Sequence, residues 1–69
     1  MERKQLKSSR IKSASYYAED ATLEITFNNG SVYEYSSVPK SVYNALIIAK
    51  SPGSYFEQSI KNVYKAEKV

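Results

Sequence analysis

The sequence predicts a small two-layer α+β domain, in which a three-stranded antiparallel meander is followed by two helices packed on one face (β-β-β-α-α). Three observations lead to this prediction. Residues 22–27 alternate strictly between polar and apolar side chains, as a strand with one buried face does. After Val38-Pro39 the apolar side chains recur at helical spacing instead. The chain has 69 residues, which is enough for one modest core and no second domain.

The three predicted strands are separated by turn-forming residues. The first strand covers Ile11 to Tyr17 and ends at Ala18-Glu19-Asp20. The second strand covers Thr22 to Phe27, and the third covers Val32 to Tyr35. The first strand is a candidate edge of the sheet.

The loop between the second and third strands sets their register. A three-residue loop over Asn28-Asn29-Gly30, with Gly30 in the left-handed region, pairs Ile25 with Tyr33 and leaves Tyr35 on the same face. A two- or four-residue loop would place Glu34 opposite Ile25 instead. A slip of one residue moves a whole strand to the other face, so we expect the three-residue loop and two inward-facing tyrosines.

Two helices are predicted from the residues that start and end them and from the spacing of their apolar side chains. Pro39 lies at or near the first position of one helix, and Ser51-Pro52 ends it and caps the next. The core-facing positions of the first helix are Val42, Leu46 and Ala49. Those of the second helix are Phe56, Ile60 and Val63.

The composition excludes most kinds of catalytic and metal-binding site. The chain has no His and no Cys, so no ordinary nucleophile–base pair is available and we expect no catalytic residues, no metal site and no cofactor. The longest apolar run is Ala45 to Ala49, far short of a membrane span, and no signal-type segment follows the charged start. We therefore expect a cytoplasmic protein that does not bind membranes.

The net charge of +3 is unevenly distributed. Residues 1–12 carry five basic side chains and one acidic side chain, residues 13–38 carry four acidic side chains and no basic one, and residues 39–69 carry five basic and two acidic. We expect residues 1–7 to form a flexible basic arm, residues 8–64 to form the domain, and residues 65–69 to form a frayed tail. Whether the two basic ends meet on one face is open.

Residues 8–64 contain an ordered set of motif residues, which are Tyr33, Tyr35, Ser51, Gly53, Tyr55, Phe56 and Ile60. This set resembles the KTSC domain, a family found at the C-terminus of some lysyl-tRNA synthetases and as small free-standing bacterial and phage-type proteins. Tyr17 departs from the family, which often has Asp there. The resemblance implies structural roles for the motif residues, and the association of the family with a tRNA-binding enzyme suggests RNA as a ligand.

The leading functional hypothesis is a non-catalytic module that binds RNA or another polyanion. Seven tyrosines cannot all fit in so small a core, and exposed rings beside cations are typical of single-strand binders. Lys61, Lys65 and Lys68 recur at helical spacing and would form one basic stripe beside Tyr64. The candidate binding residues are Arg3, Lys4, Lys7, Arg10, Lys61, Lys65, Tyr64 and Tyr16.

Two other hypotheses remain open. The tyrosine-rich surface or an open sheet edge could instead bind a protein, as an accessory protein of a phage or mobile element would bind a host factor. A self-associating domain is the third possibility, and the oligomeric state is not predicted.

Overall fold

The computed structural model describes residues 2–69. These residues form one antiparallel sheet of five strands in the order β1-β2-β3-β4-β5, together with two α-helices. The strands are β1 (Glu2–Gln5), β2 (Ile11–Tyr17), β3 (Thr22–Phe27), β4 (Val32–Tyr35) and β5 (Ala66–Lys68). The helices are α1 (Lys40–Ile48) and α2 (Pro52–Ser59), both between β4 and β5 in the chain. Neither of these helices is long and apolar enough to cross a membrane.

The α+β class is confirmed, but the predicted number of strands is wrong. The sheet has five strands instead of three, and the two additional strands lie in the segments that were expected to be an arm and a tail. The residues of β1 and β5 are all exposed, and their polar sequences show no alternation. A pattern of alternating hydrophobicity cannot reveal such strands, because they are held by backbone pairing to β2 and β4 at the sheet edges.

The predicted hairpin register is confirmed. Ile25 lies opposite Tyr33, and Leu23 lies opposite Tyr35. The N–H of Phe27 donates to the carbonyl oxygen of Ser31 at 2.8 Å, which closes the three-residue loop. Gly30 has φ +92°, the left-handed conformation that the loop requires.

Replacing Gly30 with alanine should therefore destabilise the domain. The φ of +92° strains any residue with a Cβ, although nothing lies within 4 Å of where that Cβ would be. We expect the free energy of unfolding to fall by about 1 kcal/mol, measured by urea denaturation. Gly53→Ala is the matched control, because its added Cβ would make ordinary contact with Ser8 Oγ at 3.4 Å. Equal losses in both variants would show that the conformation of Gly30 is not the cause.

The core lies between the sheet and the two helices. On the sheet side the core contains Ile11, Leu23 and Ile25, and on the helical side it contains Leu46 and Ile60. All five side chains have 0% exposure. Val42 and Ala49 of the predicted α1 stripe are only half-buried, whereas Tyr43 is buried.

The second helix is shorter than predicted. It ends at Ser59, so Val63 is not part of a core-facing stripe and is 59% exposed. The N–H groups of Ile60 and Lys61 both donate to the carbonyl oxygen of Phe56, at 3.0 and 2.8 Å. Asn62 then adopts the left-handed conformation, with φ +67°. Asn tolerates this conformation and commonly ends a helix in this way.

Candidate functional site

One cleft combines aromatic and charged side chains. It has a volume of about 490 Å³ and lies between the end of α2 and the helix-covered face of β3, β4 and β5. We call it the aromatic cleft. It is lined by Arg10, Phe27, Tyr33, Tyr35, Phe56, Glu57, Lys61, Asn62, Tyr64 and Ala66.

The aromatic wall of this cleft follows from the hairpin register. Because Phe27, Tyr33 and Tyr35 share one face of the sheet, their rings meet the helical layer. Phe27 makes edge-to-face contacts with Tyr33 and Phe56, with ring centroids 5.7 and 5.5 Å apart. Tyr35 meets Phe56 in the same geometry at 5.6 Å. These contacts lock the rings against one another, so the wall is preformed.

The rim of the aromatic cleft carries two cations and one carboxylate. Glu57 forms ion pairs with Arg10 and with Lys61, the latter at 3.5 Å. The two cationic side chains are 55% and 52% exposed. Ion pairs at such exposed positions contribute about 0–1 kcal/mol, so an incoming anion can displace them. One carboxylate also cannot neutralise two cations, which leaves the rim positive.

Arg10 reaches this rim because the loop before β2 is tied to the hairpin. Ser8 Oγ accepts hydrogen bonds from the N–H groups of Arg10 and Ile11, at 3.2 and 3.3 Å. The side-chain amide of Asn28 donates to the carbonyl oxygen of Ser8 at 2.9 Å. The backbone N–H of Asn28 donates to the carbonyl oxygen of Arg10, also at 2.9 Å. The hairpin loop thus sets where the guanidinium lies.

The structure brings only some of the predicted binding residues together. Arg10, Lys61 and Tyr64 line the aromatic cleft. Arg3 and Lys4 lie on β1, whereas Lys65 directly precedes β5. Because β1 and β5 are the opposite edges of the sheet, four strand spacings or about 19 Å separate them. Arg3 and Lys4 therefore lie apart from Lys65. Arg10 and Lys61, one from each basic end of the chain, do meet at Glu57.

The predicted basic stripe on the second helix is also wrong. Lys61 follows the end of α2, and Lys68 lies on β5, so the helical spacing of Lys61, Lys65 and Lys68 has no structural counterpart. Ala66 lies opposite Tyr35 on the helix-covered face. Lys65, which precedes this strand, does not line the aromatic cleft.

Tyr16 is not available for binding, contrary to the sequence-based prediction. It is 4% exposed, and its ring stacks on Tyr43 with centroids 5.5 Å apart. Its hydroxyl donates to the carbonyl oxygen of Val38 at 2.7 Å. The N–H of Val38 in turn donates to the carbonyl oxygen of Ala21 at 2.8 Å. Tyr16 thus fixes the junction between β4 and α1 and has no free face for a base.

Removing that hydroxyl should be costly. In a Tyr16→Phe variant the buried carbonyl of Val38 loses its partner, and we expect the free energy of unfolding to fall by about 1–3 kcal/mol. Tyr17→Phe is the matched control, because the Tyr17 hydroxyl donates only a long 3.4 Å bond to Glu24 in a more exposed position. Thermal or urea denaturation compares the two variants. A Tyr17→Phe loss as large as that of Tyr16→Phe would contradict this role.

The other face of the sheet is acidic. Glu24, Glu34 and Glu67 lie directly opposite one another on β3, β4 and β5. Partial burial and the nearby carboxylates of Glu24 and Glu34 raise the pKa of the Tyr17 phenol on this face. Within residues 2–69 no group of three or more acidic, His or Cys side chains is placed to hold a metal ion. The row of three carboxylates makes this part of the sheet unfavourable for an anion, and Arg3 is the cation that acts on Tyr17 there.

Sequence reasoning missed four members of the aromatic cleft, which are Phe27, Glu57, Asn62 and Ala66. The spacing of Glu57 and Lys61, four residues apart, was the available signal for an ion pair. No comparable pattern links Arg10 to Glu57, because that contact depends on how the loop before β2 folds back.

Comparisons with known proteins agree with this fold. The KTSC domain family model matches residues 7–64. The crystal structure of a KTSC domain protein from Yersinia pestis superposes with a TM-score of 0.91 at 33% sequence identity, covering 99% of this chain and 96% of that one. An uncharacterised protein of Stutzerimonas stutzeri is 41% identical over 61 residues, which is 88% of this chain and 86% of that protein.

The chain also matches part of a larger enzyme. A lysine–tRNA ligase of Nostoc punctiforme is 46% identical over 59 residues, covering 86% of this chain but only 10% of the ligase. The match is therefore to a domain of that enzyme, and its remaining nine-tenths have no counterpart here. With the family model spanning residues 7–64, the chain belongs to the KTSC domain family.

Proposed function

We propose that this domain is a cytoplasmic, non-catalytic module that binds single-stranded RNA at the aromatic cleft. The observation that supports this most strongly is the meeting of five aromatic rings and two cations in one cleft of about 490 Å³. Single-strand binders combine these two features, since rings stack on bases and cations follow the phosphates.

The arrangement of the cleft suggests how a nucleotide would be held. The rings lie in the interior, and Arg10 and Lys61 lie at the rim beside Glu57. A base would enter against Tyr33 and Tyr64, which are only half-buried. Its phosphate would replace Glu57 as the ion-pair partner of the two cations. A paired base cannot enter in this way, so the proposal is specific for unpaired nucleotides.

The relatives lend further support. Lysine–tRNA ligases from three cyanobacterial strains contain a segment that matches this chain at 41–46% identity. Their name makes tRNA their substrate, and a domain attached to such an enzyme is well placed to contact RNA. This support is associational, and the geometry of the cleft carries the proposal.

The second candidate is a protein-interaction module. The observations that favour it are the two fully exposed edge strands and Ile48, which is 80% exposed at the end of α1. An open edge can accept a strand from a partner. A partner that co-purifies after nuclease treatment and in high salt would favour this function over RNA binding.

The RNA proposal is tested by removing one ring. Tyr64→Ala should weaken binding of an unstructured oligouridylate about fivefold to tenfold, the lower end of what stacking contributes, because four other rings remain. The slope of log K against log[salt] should stay unchanged, since no charge is lost. Fluorescence anisotropy at several salt concentrations measures both. Absence of wild-type binding at low salt, or a binding constant independent of salt, would overturn the proposal.

A further inference from the structure

Two further hollows adjoin the aromatic cleft along α2. The cleft shares Arg10 and Glu57 with a neighbouring depression of about 240 Å³, which is also lined by Ser9, Gly53 and Ser54. Those last three residues also line a third depression of about 240 Å³, whose far end carries Lys7 and Lys50. The three hollows therefore adjoin one another, and we call the part beyond the aromatic cleft the α2 groove.

The α2 groove suits the backbone of a strand and does not suit a base. Its lining is mainly polar, whereas the aromatic rings are confined to the cleft. Gly53 lies in the middle, close to Ser8 and Arg10, and adds no side chain to the groove there. The eight residues of α2 span about 12 Å, which corresponds to about three stacked nucleotides at the 3.4 Å rise of one nucleic-acid strand.

We infer that the RNA strand leaves the aromatic cleft through the α2 groove and that Lys7 and Lys50 bind its next phosphates. This inference rests on the proposed function and extends it in two respects. It makes the ligand a run of about three or more unpaired nucleotides instead of a single nucleotide. It also assigns Lys50, which no motif indicated, to the binding surface, together with Lys7 from the predicted set. Both side chains are exposed and free to reach a phosphate.

A length series tests this path. Uridine monophosphate, triuridylate and hexauridylate are titrated into the wild-type chain, a Lys7→Gln/Lys50→Gln variant and an Arg3→Gln/Lys4→Gln control. The control loses the same charge from exposed residues of β1, outside the groove. We expect wild-type affinity to rise with length. In the groove variant the salt slope for hexauridylate should fall by about 1.4, or about 0.7 for each lost phosphate contact, with monophosphate binding unchanged. The control should keep the wild-type slope.

The outcomes separate the two proposals. If both double variants lower the hexauridylate slope equally, the lysines act only through general charge and the path is wrong. If wild-type affinity is the same for all three lengths, the α2 groove is not used, although the cleft still binds. If nothing binds the wild-type chain at low salt, the proposed function fails, and the path fails with it.

Discussion

Replacing Phe56 with alanine is expected to leave the domain at the margin of stability at room temperature, with up to about half of the molecules unfolded. Phe56 is 3% exposed and contacts Phe27 and Tyr35 edge-to-face, so it joins α2 to two strands of the sheet. Truncating a buried phenylalanine costs about 3–5 kcal/mol, because apolar burial is lost and a cavity remains. That loss is comparable with the whole stability of about 5 kcal/mol expected for so small a domain.

Circular dichroism during urea denaturation measures this loss, and Tyr55→Ala provides the control. Tyr55 is the neighbouring aromatic residue on α2, but it is only half-buried and packs at the margin of the core. We expect its truncation to cost less than half as much as that of Phe56. Similar losses for the two variants would show that α2 is not anchored through Phe56.

Removing both cations of the cleft rim should produce the largest effect on binding. In an Arg10→Gln/Lys61→Gln variant, Glu57 remains as the charged residue of the rim and repels the phosphate that the cations would have bound. Hydrogen bonds to charged groups contribute about 1.5–3 kcal/mol each, so the loss of two such contacts should lower oligouridylate affinity at least about a hundredfold. The salt slope should fall by about 1.4.

The matched control for this variant is again Arg3→Gln/Lys4→Gln. It gives the same net charge but leaves the rim intact, so only a small loss of affinity is expected. If the control loses as much affinity as the rim variant, the domain attracts RNA through its overall charge and the cleft has no special role.

The hairpin and the inward-facing tyrosines could be predicted because one local rule decides them. A loop of the wrong length would turn Glu34 inward, and Gly30 makes the three-residue loop possible. The edge strands β1 and β5 could not be predicted in this way. Their side chains are exposed on both faces, so their pairing depends on the open backbone of β2 and β4 and leaves no alternation in the sequence.

The candidate site was only partly accessible to sequence reasoning for a similar reason. Local pattern placed the rings on the correct face, but the approach of Arg10 to α2 depends on contacts between Ser8 and Asn28, which lie 20 residues apart. The positions of Arg3 and Lys65 at opposite edges depend on strand order, which total charge cannot reveal. The net charge therefore does not locate a binding surface, because it does not show how strand order distributes the basic residues.

An NMR titration of the isotope-labelled chain with hexauridylate at low salt tests the central claim most directly. The account predicts that the largest shift changes occur at residues of the aromatic cleft, including Tyr33, Lys61 and Tyr64, and continue along α2. The acidic face around Glu24 and Glu34 should remain unchanged. Changes centred on β1 or on the acidic face, or no changes at all, would contradict it.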